Sequence, residues 1–129
     1  MEHTEQRIIC PVATTIHLIG GKYKAFILWH LTDRTLRFSD LKRLLPDATP
    51  KMLTQQLREL ESDGLLNRTV YPVVPPKVEY SLTEKGSSLY PILEAMFDWG
   101  TSILREEGLV ANCSMVEEKD RAEQRTDSR

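Results

Sequence analysis

A chain of 129 residues with 40% hydrophobic content can bury one core but not two, which excludes a wholly disordered chain and a second domain. No apolar run approaches the roughly 20 residues of a membrane span, and the opening MEHTEQRII lacks a signal peptide's apolar region, so a cytoplasmic protein is expected. The net charge of −2 opposes nucleic acid only as an average: residues 20 to 58 carry eight bases against three acids, residues 105 to 129 seven acids against five bases, and local charge sets phosphate affinity.

Residues 1–9 read as a mobile arm. Cys10 and Pro11 open a helix whose apolar positions Val12, Ile16 and Ile19 recur at helical spacing, and Gly20-Gly21 closes it. A second helix is predicted from about Lys22 to Leu31. Its Tyr23, Phe26, Ile27, Trp29 and Leu31 cover much of the circumference, as in a central, buried helix. Asp33 and Arg34 mark a turn, and Leu36 with Phe38 suggests a short strand. Ser39 suits the N-cap of a helix running to about Leu45, with Leu41, Leu44 and Leu45 as its apolar stripe. Pro46 and Asp47 end it. Thr49 caps the next helix, Pro50 fits its first turn, and Gly64 stops it after Asp63.

At about 100° per residue, Leu53, Leu57 and Leu60 share one narrow arc that must face a core. Lys51, Gln55, Arg58 and Ser62 lie opposite, with Thr54 on the flank. These groups suit a DNA major groove, where Gln pairs with adenine, Arg with guanine or phosphate, and Thr with a base edge or phosphate. The competing reading of this helix alone is a solvated amphipathic surface.

After Gly64 the period changes to alternation. Leu66 and Val70 share one face, as do Val78, Tyr80 and Leu82, with the proline-rich PVVPP of residues 72 to 76 as the tip between two strands. Arg68 and Lys77 flank the tip. The fold class expected is therefore mainly α with a small β-hairpin wing: a winged helix-turn-helix, dimerising through its N- and C-terminal helices. Thr83 is expected to cap a long C-terminal helix with Glu84 in its first turn, kinked or restarted at Pro91. Its apolar residues from Leu89 to Leu104 span an arc of about 160°, whereas one neighbour needs only about 100°. The surplus calls for a second neighbour, most simply another subunit. The dimer interface is placed at Val12, Ile16, Leu93, Met96, Phe97, Trp99 and Ile103; the alternative is that the first helix covers the surplus within one chain. The domain is bounded at residues 10–107, with 108–129 as a charged tail expected to be disordered.

The pieces CPV at 10–12, IGGK at 19–22, LRFSDLKRLLP at 36–46, KMLTQQLRELESDGL at 51–65, RTVYPVVPPKVEYSLTEKG at 68–86 and DWG at 98–100 together resemble the HxlR family of bacterial transcriptional regulators, relatives of the MarR group. The resemblance implies a homodimer on operator DNA, as repressor or activator, with the helix from Thr49 to Asp63 as reader and the hairpin around Pro72 to Lys77 as wing. On that basis Lys51 and Arg58 neutralise phosphate or read guanine, and Gln55 and Thr54 read base edges. Arg37, Ser39 and Lys42 hold backbone phosphates, and Arg68 and Lys77 anchor the wing.

The resemblance also implies that Cys10, just before the first helix, senses oxidants, quinones or aldehydes. A helix N-terminus favours thiolate there, although Pro11 removes one N–H donor. Cys113, the only other thiol, lies just beyond the presumed dimer helix and is a candidate partner for Cys10 across two subunits. Two cysteines without C-x-x-C spacing suggest neither a disulfide scaffold nor zinc. Cys10 and His17 share a helical face but stand about 10 Å apart along the axis, and His3 and His30 add no useful spacing. No cofactor is expected. No base, nucleotide loop or apolar carboxylate pair supports catalysis from Cys10. The rival function is a winged helix used for protein contact, without sequence-specific DNA binding.

Overall fold

The computed structural model describes residues 9–116 and 119. Helices α1 (Pro11–Ile19) and α2 (Lys24–His30) precede a two-residue strand β1 (Leu36–Arg37) and the helix pair α3 (Phe38–Leu44) and α4 (Pro50–Ser62). The hairpin of β2 (Leu66–Tyr71) and β3 (Lys77–Leu82) follows, then the single turn α5 (Glu84–Ser87) and the long α6 (Tyr90–Glu106). The three strands form one antiparallel sheet in the order β1-β3-β2, with Leu36 opposite Tyr80 and Leu66 opposite Leu82. This is a winged helix-turn-helix.

The core forms around α2, whose Ile27 and Leu28 are wholly buried along with the following Leu31. Leu41 of α3, Leu53, Leu57 and Leu60 of α4, Leu65 and Leu66 at the wing base, and Leu89 and Leu93 close around it. Burial of each α4 leucine contributes roughly 1.5–3 kcal/mol, so the three fix that helix far more firmly than its propensity does. Trp29 stacks between Tyr90 and Phe97, with ring centroids 5.6 and 5.3 Å away, and so binds α2 to α6.

Several expectations shift. The third helix starts at Phe38 rather than after Ser39, because pairing of Leu36–Arg37 with Glu79–Tyr80 ends the strand one residue early. Its first turn is closed by the Arg37 backbone N–H, which donates to Asp40 Oδ2 at 2.9 Å, and Ser39 is left exposed inside the helix. Thr83 caps only α5; of the two alternatives at Pro91, the restart is the one found, with Pro91 in the first turn of a fresh helix. Of β2 only Leu66 is buried; Val70 shares its face but stands beyond the core.

Apart from exposed Ile9, the N-terminal arm lies outside the described residues. Of the segment after residue 107, the described part turns back to the body. His30 Nε2 and Ser114 Oγ share a hydrogen bond of 2.8 Å, Met115 packs against the core, and Lys119 Nζ reaches Glu94 Oε2 at 2.9 Å. Residues 117, 118 and 120–129 lie outside the described residues.

Candidate nucleic-acid interface

Helix α4 is set by both ends and one face. The Thr49 hydroxyl accepts the Met52 N–H at 3.1 Å, Pro50 occupies the first turn, and Gly64, at φ 79°, takes the left-handed conformation that stops the helix. With Leu53, Leu57 and Leu60 buried, Lys51, Gln55, Arg58 and Ser62 are all exposed and Thr54 is half-buried on the flank. The structure thus places the row of predicted reading residues on one outward surface of a rigid helix.

Two cross-links tie α4 to the start of α2. Gln56 Oε1 accepts the Tyr23 backbone N–H at 3.0 Å, and Glu59 Oε1 meets Lys24 Nζ at 2.7 Å. The other Glu59 oxygen accepts from Gln55 Nε2 at 3.2 Å. The Lys24 ammonium, and after it the Gln55 amide, hold the Glu59 carboxyl below its ordinary range. Lys24, which the sequence count includes in the local cationic excess, is almost wholly buried and faces no solvent phosphate. A Glu four residues after an outward Gln falls on the same helical face, and that spacing was the available signal for this contact.

On α3, Asp40 takes the Arg37 N–H on one oxygen and Arg43 Nη2, at 2.7 Å, on the other; these donors, the backbone one first, keep its carboxyl low. Arg37 and Ser39 are exposed. Lys42 is half-buried, and its ammonium donates to the Pro46 carbonyl at 3.1 Å, on the turn between α3 and α4.

The wing separates the two cations assigned to it. Arg68 is paired with Tyr80 and Lys77 with Tyr71, so they project from opposite faces of the hairpin. Lys77 lies 4.9 Å from the Tyr71 ring and 3.2 Å from Glu79 Oε2, whereas Arg68 is exposed. Arg37 stands opposite Glu79 in the adjoining strand pair, on the Lys77 face. The tip itself is apolar and outermost, Val74 being 99% exposed.

A second surface lies along α1 and α6. Val12, Ile16, Ile92, Met96 and Trp99 are exposed, the last to 70%, and α1 buries no residue at all. An open apolar groove of about 490 Å³ runs between the two helices over Val12, Ile16, Ile92 and Met96. Two residues expected on this surface belong elsewhere: Leu93 is 2% exposed in the core, and half-buried Phe97 lies on Trp29. Ile103 is half-buried, and Ile92 takes a place that the sequence did not assign to it. Cys10 is exposed at the N-cap of α1, and Cys113 is exposed too. Among the described residues no three His, Cys, Asp or Glu gather as metal ligands, and no helix is long and apolar enough to cross a membrane.

Comparison with known proteins matches residues 18–108 to the HxlR-like helix-turn-helix family model. Over 91 residues the chain is 56% identical to the uncharacterized HTH-type transcriptional regulator YdeP of Bacillus subtilis strain 168, covering 70% of this chain and 71% of YdeP. Among solved structures it is similar to the putative HTH-type transcriptional regulator ytcD, at 55% identity and a TM-score of 0.72, covering 75% of this chain and 99% of that one. It is also similar to the redox regulator HypR in its oxidized form, at 53% identity and a TM-score of 0.69, covering 72% and 96% of the two chains.

Proposed function

This chain belongs to the HxlR-like helix-turn-helix family of transcriptional regulators, and on that premise we propose that it binds a near-palindromic operator as a homodimer and responds to oxidants through Cys10. The observation that carries the reading is the α4 surface: Lys51, Gln55 and Arg58 project from a helix whose other side is locked by three buried leucines. Such a helix enters the major groove with its polar face toward base edges, while Arg37 of β1, Ser39 and Lys42 of α3 and the cap residue Thr49 hold phosphates. Arg68, exposed on the hairpin face it shares with Leu66 and Val70, adds a wing contact. Lys77, already engaged by Tyr71 and Glu79, stiffens the wing and gives a weaker phosphate contact. DNA binding places its work in the cytoplasm.

The apolar seam of α1 and α6 supports the dimer. An exposed row of Val12, Ile16, Ile92, Met96 and Trp99 is what a soluble chain covers, and a two-fold copy covers it with the same row. Two readers so joined contact half-sites about one helical turn apart.

Fluorescence anisotropy on DNA from upstream of the chain's own gene, against scrambled duplex at two salt concentrations, tests the reading. Sequence-selective binding that weakens steeply with salt is the expected result. Lys51→Ala and Arg58→Ala should each lower the log–log salt slope by roughly 0.9 per half-site, about 1.8 for the dimer, wherever the lost contact is to phosphate. Gln55→Ala should leave the slope alone and cost about 1–3 kcal/mol of discrimination at one base pair. Absence of binding even at low salt would turn the α4 face into a protein-contact surface.

The redox part rests on an exposed thiol at the end of the seam helix and on the likeness to a protein named as a redox regulator. In its simplest form Cys10 of one subunit and Cys113 of the partner subunit give up two protons and two electrons to an oxidant such as diamide and become one disulfide. Non-reducing electrophoresis after diamide treatment should show a covalent dimer from wild type and none from Cys10→Ser or Cys113→Ser. A monomeric band from treated wild type would end the disulfide form and leave modification of Cys10 alone.

A further inference from the structure

We propose that Glu59 sets the base preference of Gln55, making it a reader of adenine and barring guanine; the inference rests on the DNA-reading function proposed above. A surface glutamine is ordinarily a poor discriminator. Its side chain samples many rotamers, and its amide can turn over to present either two N–H donors or a mixed donor–acceptor edge.

Here the amide is held. Glu59, four residues along the same face, accepts one Nε2 hydrogen at 3.2 Å through Oε2. Glu59 does not swing with it, because its Oε1 is fixed 2.7 Å from the ammonium of Lys24, whose side chain is only 7% exposed. A run of contacts therefore leads from the core through Lys24 and Glu59 to an exposed amide on the reading surface.

The chemistry that remains outward follows from counting hydrogens. Nε2 has two, and one is committed to Glu59. What is left is a single N–H beside the Oε1 acceptor. Adenine offers its complement on the major-groove edge, an acceptor at N7 beside a donor at N6. Guanine offers two acceptors, N7 and O6, which need two donors. The Glu59 carboxylate also faces those two acceptors with negative charge, while Lys24 keeps that charge from opposing the DNA phosphates as a free anion would. Glu59 is thus a positioning residue that touches no base in this scheme.

Glu59→Gln tests it sharply. In the variant the oxygen of the new amide stays with Lys24 and its nitrogen turns toward Gln55, which must now accept through Oε1 and present its two N–H groups outward. Full-length wild type, Glu59→Gln and Glu59→Asp would each select duplexes from a randomised library, with thermal melting as the check on folding. Glu59→Asp keeps the charge but is too short to serve Lys24 and Gln55 together. Wild type is expected to enrich adenine at one position per half-site, a preference that Gln55→Ala removes. At that position Glu59→Gln should lose at least tenfold in adenine over guanine, and Glu59→Asp should relax it. Neither change should alter base preference when Gln55→Ala is already present.

Retention of the adenine preference by both variants, with affinity shifted equally for every sequence, would reduce Glu59 to a local charge and overturn the proposal alone. Enrichment of no sequence by wild type would remove the DNA reading and the proposal with it.

Discussion

Met96→Glu combined with Trp99→Glu should give a folded monomer that loses operator affinity by roughly 10²-fold or more, since a bound second half-site acts at high effective concentration. Both side chains are exposed in the single chain, to 49% and 70%, so neither carboxylate enters the core. In a two-fold seam each glutamate would meet its own copy and the opposing apolar row, which combines like-charge repulsion with desolvation. Sedimentation reads the oligomer, circular dichroism the fold and anisotropy the binding. A double variant that remains dimeric would place the two-fold contact elsewhere. Leu93 provides the contrast: it is 2% exposed against α2, so Leu93→Glu should unfold the chain rather than divide it.

The different fates of Leu93 and Met96 show how far the sequence can be read. Periodicity reports that α6 has a wide apolar arc and so two neighbours. It does not say which residues go to which, because that division depends on where α2 lies. Trp29 settles it by stacking on Tyr90 and Phe97, which draws Leu93 and Phe97 inward and leaves Ile92, Met96 and Trp99 outside. The outward polar face of α4 was legible for the opposite reason: Leu53, Leu57 and Leu60 form so narrow a stripe that only one packing is open to them. Lys24 was misjudged in a count of charges because its partner, Glu59, lies 35 positions on. The start of α3 was displaced by a pairing with Glu79 and Tyr80, again far along the chain. Val70 alternates correctly, yet the hairpin carries it past the edge of the core. Local pattern gave the elements and their faces, and long-range contacts decided caps, charge burial and the wing.

One long-range contact explains a glycine whose role no local pattern reveals. Gly86→Ala should lower stability by about 1–3 kcal/mol, as overpacking in a closed site does, with Tm falling roughly 4–8 °C for each kcal/mol. A Cβ on Gly86 would run into the carbonyl oxygen of Leu65 and lie 3.1 Å from its carbonyl carbon and 3.3 Å from Leu82 Cδ2. Backbone cannot rotate aside as a side-chain tip can. Nor is that carbonyl loose: the Thr83 N–H donates to it at 3.1 Å, and the Leu65 N–H is held by Leu60 at 2.9 Å. The Thr83 hydroxyl donates to Gly64 at 2.6 Å while accepting the Gly86 N–H at 3.0 Å, and Lys85 reaches the Asp63 carbonyl at 3.1 Å. Together these bonds tie the end of α4, the base of the wing and the turn α5 to one another, so relief of the clash must shift α4, the hairpin or both. DNA binding should therefore weaken beyond what the melting curve explains, measured well below Tm, where the variant is folded. Gly64 separates the two kinds of constraint. Its φ of 79° strains any Cβ, but the nearest atom is the Lys85 ammonium at 3.9 Å, an ordinary van der Waals distance. Asparagine, which tolerates that conformation, should restore much of what Gly64→Ala loses, while asparagine at 86 should cost more than alanine does there. Full stability and binding in Gly86→Ala would mean that Leu65 yields freely and that the wing base is far softer than its hydrogen bonds require.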